Sequence, residues 1–275
     1  MTSLIAWAAV DSRAISSLNF ASDSRISWIA QHKIIGNPWD HTKKIFASLT
    51  TSDIFGFCGD SIIASNILGQ FTDIPSVGGI PTAIENPQET VNALARMIEK
   101  SITLYPDDRR NPFTIIHGAR IGTGKEAAWN VFRLDCDGTT CAAPSIIPMP
   151  SESEVIIELG SGKEYIHRFQ NKWRESEVGG TSRAIFSAFC DAIASGEDRF
   201  SGGPVQFCRL LRKDVAKPIG IIWNGERYVS GASIPPTQTM QAFDWFNSLF
   251  EWCDPITLLR LPKAQPQPRP RKLVK

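Results

Sequence analysis

Two hydrophobic periodicities divide this chain. Leu4 to Val10 is an apolar run, followed by a polar turn and a second run ending in Asp23-Ser24-Arg25. That pattern predicts a β-hairpin that carries Asp23 back beside the chain start. Ile26–Ala30 and Ile34–Ile35 predict short strands before a turn at Gly36-Asn37-Pro38. Strands are also predicted over Lys43–Leu49 and Ile54–Asp60, with Asp60 or Ser61 capping a helix to about Gly69. Residues 71–84, with Pro75, Gly78, Gly79 and Pro81, read as a loop. A helix begins at Asn86-Pro87, and its Val91, Leu94, Ala95, Ile98 and Ile102 recur at the helical period. Strands follow at Phe113–His117, Ala127–Asp135 and Val155–Leu159, the last broken by Gly160-Ser161-Gly162. Ser182–Ala194 predicts a helix with Ile185, Phe186, Phe189, Cys190 and Ile193 on its apolar face. Val205–Leu211, Ile219–Trp223 and Arg227–Val229 predict strands, and Gln238–Glu251 a last helix. Runs of strands separated by helix pairs imply an α+β fold of sheets flanked by helix layers rather than alternating β-α units.

Composition narrows this picture. The 275 residues allow one large domain, here 1–237, with a helical extension at 238–261. The tail 262–275, with four prolines and five basic residues, is expected to be disordered. Twenty-nine basic residues against 28 acidic give no argument for nucleic acid or an anionic membrane. Six scattered cysteines with no secretory signal predict reduced thiols and a cytoplasmic protein. No stretch is apolar for long enough to span a membrane. His32, His41, His117 and His167 lack metal-ligand spacing, so neither metal nor cofactor is expected. Gly122-Thr123-Gly124-Lys125 lacks the hydroxyl of a phosphate loop, and Asp135-Cys136-Asp137-Gly138 lacks the closing glutamate of a calcium loop.

Candidate chemistry lies at the start. Thr2 follows the initiator methionine, and its small side chain permits Met1 removal. The mature chain would then carry a hydroxyl nucleophile and a free α-amine on one residue, an amine with an ordinary pKa of about 7.7–8.0 that serves as its own base.

Four stretches extend this reading. They are Thr2 with Asp23-Ser24-Arg25, then Lys43-Lys44-Ile45, then Gly56-Phe57-Cys58-Gly59 ahead of a helix. The fourth pairs Gly160-Ser161-Gly162 with Asp198-Arg199-Phe200-Ser201-Gly202-Gly203. In this order they resemble the proteasome β-subunit and HslV-type family of N-terminal threonine peptidases, over about residues 2–233. The resemblance implies a four-layer αββα sandwich, two antiparallel sheets between helix layers. It implies Thr2 as nucleophile, Lys44 (or Lys43) beside its hydroxyl, and Asp23 orienting the lysine. Gly59 becomes the oxyanion donor, and Ser161, Asp198 and Ser201 hold the Thr2 amine. Arg25, Ile26, Thr42, Phe46, Phe57 and Ser61 are implied to line the substrate pocket. The implied function is a threonine endopeptidase in a homo-oligomeric ring, cleaving polypeptides delivered by an ATP-dependent unfoldase. An inactive ring-forming subunit and an amidase acting on a small amide are the alternatives. The spacings depart from the family: Asp23 lies 21 positions after Thr2 and Lys44 another 21 on, each about five longer.

Overall fold

A computed structural model describes residues 2–30, 33–74, 86–237, 240 and 242–270. The first half runs β1 (Ser3–Asp11), β2 (Ala14–Ser22), β3 (Ile26–Ala30), β4 (Lys33–Trp39), β5 (Ile45–Ala47), β6 (Asp53–Gly59), α1 (Ser61–Asp73) and α2 (Pro87–Ile102). The middle follows with β7 (Phe113–Ile121), β8 (Ala128–Cys136), β9 (Ser145–Ile147), β10 (Glu154–Gly160), α3 (Lys163–Arg174) and α4 (Ser182–Ala194). The last strands are β11 (Gln206–Leu211), β12 (Lys217–Trp223), β13 (Glu226–Val229), β14 (Ala232–Ser233) and β15 (Trp245–Phe246).

These strands form three sheets. The largest runs β10-β1-β2-β11-β12-β13-β14, with β15 parallel to β12; the second is β5-β6-β7-β8-β9; β3 and β4 pair only with each other. Strand alternation explains the burial. In β1, Ile5 and Trp7 face a cluster with Phe169, Trp173, Phe186 and Phe189 of α3 and α4. Leu4 and Ala6 face the other way and meet Ile54, Ile116 and Val131 of the second sheet. Burial on both faces is why β1 is an almost continuous apolar run. Helices α1 and α2 cover the second sheet through Ile63, Ile67, Val91, Leu94 and Ile98.

The expected four-layer αββα sandwich of two sheets is corrected. The described strands make three mostly antiparallel sheets with four helices, not a clear four-layer arrangement. The β3–β4 hairpin stands apart, with Trp28, Ile35 and Trp39 about half exposed. Local corrections have physical causes. The predicted helix over 238–251 is absent from the described residues there. Trp245 and Phe246 instead form β15, and Phe250 adopts φ +56°, outside right-handed helix. Gly220 makes room for this, since a Cβ there would lie 2.4 Å from the Trp245 ring.

Helix α3 is an addition. Its Ile166, Phe169, Gln170 and Trp173 are buried at helical spacing. The tail is not free over its described part, 262–270: Gln267 is buried and its Nε2 donates to Ser187 Oγ at 2.6 Å. The rest of the tail lies outside the described residues, as does most of the loop expected at 71–84. Cys136 and Cys141 form a disulfide, correcting the expectation that every thiol is reduced.

Candidate functional site

The hairpin β1–β2 sets the site. Pairing of Leu4 with Ser22 brings the end of β2 beside the first residues of β1, and the Asp23 amide donates to the Ser3 carbonyl at 3.1 Å. Asp23 is fully buried and its carboxylate accepts four donors. Lys44 Nζ and the Ser3 amide reach Oδ1 at 2.7 and 3.0 Å. The Arg25 and Gly202 amides reach Oδ2 at 3.1 and 3.0 Å. Four donors fill the lone-pair capacity of an ionised carboxylate. Lys44 is 1% exposed and Asp23 0%, so the pair is shielded from screening by water. Lys43, one residue earlier, is exposed and holds its Nζ 4.5 Å above the Phe46 ring, away from this pair.

Thr2 is buried at the head of β1. Gly160 crosses it closely at φ +95°, and a Cβ there would lie 1.6 Å from the Thr2 carbonyl oxygen. Only glycine allows that approach. Ser161 and Ser201 Oγ both donate to Asp198 Oδ2 at 2.7 Å, and Ser201 Oγ lies 2.8 Å from Ser3 Oγ. The network therefore grips the residue after Thr2. A Cβ on Gly162 would meet Ser3 Oγ at 1.8 Å, so a larger residue here would push the Ser3 hydroxyl out of this network. Gly59 ends β6 at φ +111°, and Asp60 caps α1 through the Ile62 and Ile63 amides.

The residues expected to line a substrate pocket divide. Ile26 and Ser61 are half-buried. Arg25 forms a two-pronged ion pair with Asp40, both contacts at 2.8 Å. Thr42, Phe46 and Phe57 are buried; the two phenylalanines pack among Ile63, Ile67 and Leu68 and offer a ligand almost no surface. The space beside Gly59 is instead a 570 Å³ cleft touched by Cys58, Thr114, Asp135 and the Cys136–Cys141 disulfide. Burial pushes the Cys58 thiol up, against the opposing charge of Lys44.

One residue escaped sequence reasoning. Gln206 is 1% exposed, and its Nε2 donates to the Asp23 carbonyl, Ser24 Oγ and the Thr42 carbonyl at 3.1, 3.0 and 2.6 Å. Its Oε1 accepts the Lys44 amide at 2.9 Å. It thus ties the segments carrying Asp23 and Lys44 together. Its only sequence signal is a polar residue at the head of an apolar strand.

Among the described residues no three or more His, Cys, Asp or Glu side chains gather as a metal site, and no helix is long and apolar enough to cross a membrane. The arrangement buries an ammonium and a carboxylate against the peptide that joins Thr2 to Ser3, through the Ser3 amide, which donates to Asp23.

No family model matches the chain, and no curated protein matches it. Among solved structures it is similar to the Anbu (Gly-1) mutant from Hyphomicrobium sp. strain MC1. Identity is 15%, the match covers 79% of this chain and 86% of that one, and the TM-score is 0.50. This is a likeness of fold alone. The expected membership of the proteasome β-subunit and HslV-type family is corrected accordingly: no family model supports it, and what remains is a distant structural neighbour.

Proposed function

We propose that this chain is an N-terminal threonine hydrolase acting on amide bonds of polypeptides. The observation that carries the reading is the fully buried Lys44–Asp23 pair beside the head of β1, fixed by three backbone amides. In this reading Met1 is removed and the Thr2 amine takes the proton from its own Oγ as that oxygen attacks the carbonyl. Lys44 favours the alkoxide form by its charge, Asp23 keeps Lys44 in place, and the Gly59 amide donates to the tetrahedral oxyanion. Ser161, Asp198 and Ser201 steady the first strand through Ser3. The reading also has the chain working in the cytoplasm as a homo-oligomeric ring fed by an ATP-dependent unfoldase.

Intact-protein mass, before and after a β-lactone that acylates N-terminal threonine, tests it. The expected result is loss of Met1 and one adduct, both the adduct and peptide hydrolysis falling by roughly 10⁴-fold or more in Thr2→Ala. A chain that keeps Met1 and takes no adduct sinks the reading. Light scattering of the same sample tests the ring.

A further inference from the structure

A groove of 680 Å³ runs along the outer edge of the largest sheet, and the chemistry proposed at Thr2 makes no use of it. Its size falls within the roughly 300–1,000 Å³ typical of ligand sites. Residues 152–158 line one wall without interruption. One face of a strand presents only alternate side chains, so an unbroken series means that the groove follows the backbone edge of β10. That edge is open: β10 ends the sheet, and β1 is its one strand partner among the described residues.

The opposite wall is helix α3. Lys163, His167, Gln170 and Arg174 line the groove at spacings of four, three and four residues, a single helix face. Gln170 is 8% exposed; its Nε2 completes no close hydrogen bond, and the acceptor it approaches is the Glu158 carboxyl. Glu158, opposite Ile5, is the nearby carboxyl, and burial pushes it up despite the opposing pull of Gln170, His167, Lys163 and Arg174. The Glu158 carboxyl therefore faces a helix wall with two fixed cations, Lys163 and Arg174, and His167. Glu152 and Glu154 line the strand side.

We propose that this groove seats an extended acidic peptide, which adds as a strand to β10 and directs alternate carboxylates at α3. A free strand edge facing a helix is a recurring peptide site, where backbone bonds give affinity and alternate side chains give selectivity. The lengths agree. From Lys163 to Arg174 the helix rises about 16 Å, and five extended residues span about 16–17 Å. The bulge in β10 between Val155 and Ile157 limits an unbroken ladder to a segment of that order.

The test is fluorescence anisotropy with the full chain and a labelled Glu-Val-Glu-Val-Glu amide. Saturable binding is expected, weakened at least ~10-fold in the Lys163→Glu/Arg174→Glu double variant, since it reverses the charge the peptide meets. The same peptide N-methylated at alternate amides, offered to the unaltered protein, is expected to lose binding because the backbone ladder is blocked. The proposal is overturned by no saturable binding, by equal binding to the reversed variant, or by equal binding of the methylated peptide. A concentration-dependent dimer that excludes the peptide also overturns it, since β10 would then pair with a second copy.

Discussion

Asp23 shows how much one buried carboxylate carries. Its four donors come from β1, the segment after β2, the head of β5 and the loop before β11, so it fixes four pieces of chain at one point. Removing one partner of a buried pair typically costs about 3–5 kcal/mol, because the other charge is left uncompensated. Lys44→Met keeps the volume and should lower stability on that scale. Urea denaturation reads this, and the β-lactone adduct rate should fall together with hydrolysis. An unchanged adduct rate would remove Lys44 from the chemistry. Gln206→Leu leaves the Lys44 amide without its acceptor and three further groups without their donor. The cost is roughly 1–3 kcal/mol for each group that finds no water. An adduct rate that falls with the unfolding midpoint unchanged would mark Gln206 as positioning the Lys44–Asp23 pair. The order of motifs along the chain pointed to Thr2, Asp23 and Lys44, with Lys43 as fallback, and the structure pairs Lys44 with Asp23. Phe46 and Phe57 misled as pocket residues, since an aromatic looks the same in sequence whether it lines a cleft or fills a core.

Elements meet at a few crossings where backbone geometry decides. β10 passes β1 at Gly160, where a single methyl would clash with the Thr2 carbonyl itself. Gly160→Ala should displace the start of β1, lower the melting temperature and abolish the Thr2 adduct. Normal acylation in this variant would refute the close crossing. Strands β6 and β7 meet through His117, whose Nε2 lies 2.7 Å from Asp53 Oδ1 with its ring stacked on Phe55. Burial pushes Asp53 up, but the His117 and Thr51 hydrogen bonds outweigh it and hold the carboxyl below its usual value. A depressed folded value means that the contribution to stability is present above the unfolded pKa of about 3.9 and is lost as pH falls through the folded one. Denaturation midpoints should therefore fall below about pH 4. Asp53→Asn should flatten that part of the profile, and an identical slope in the variant would contradict the assignment.

Across the whole molecule, the described part of the tail, 262–270, is structural. Arg269 pairs with Asp191 of α4 at 2.5 Å, Gln267 bonds Ser187 and Glu251, and Arg183 donates to the Gln265 carbonyl. Asp191 in turn accepts from the Trp173 indole, so the tail, α4 and α3 share one network. Deleting 262–275 should lower the melting temperature by several degrees and leave the site around Asp23 intact, as each kcal/mol is worth about 2–4 °C in a chain of this size. No change on deletion would mean that the docked tail contributes nothing. A Pro-rich, basic composition signals a free segment only when nothing nearby accepts its bonds, and here α4 does.

Periodicity by itself determined most strands, α2, α4 and the hairpin that returns Asp23 to Thr2, because alternation and helical spacing are local consequences of burying one face. It also held the signal for α3, at Ile166, Phe169, Gln170 and Trp173. The grouping of strands into three sheets depended on long-range pairing, which no local pattern records. Tertiary structure set Lys44, the first choice, rather than the fallback Lys43 against Asp23, recruited Gln206 and turned 245–246 into a strand. Each of those outcomes depends on a neighbour distant in sequence: Asp23 for the lysine, Thr42 for the glutamine, and Gly220 for Trp245.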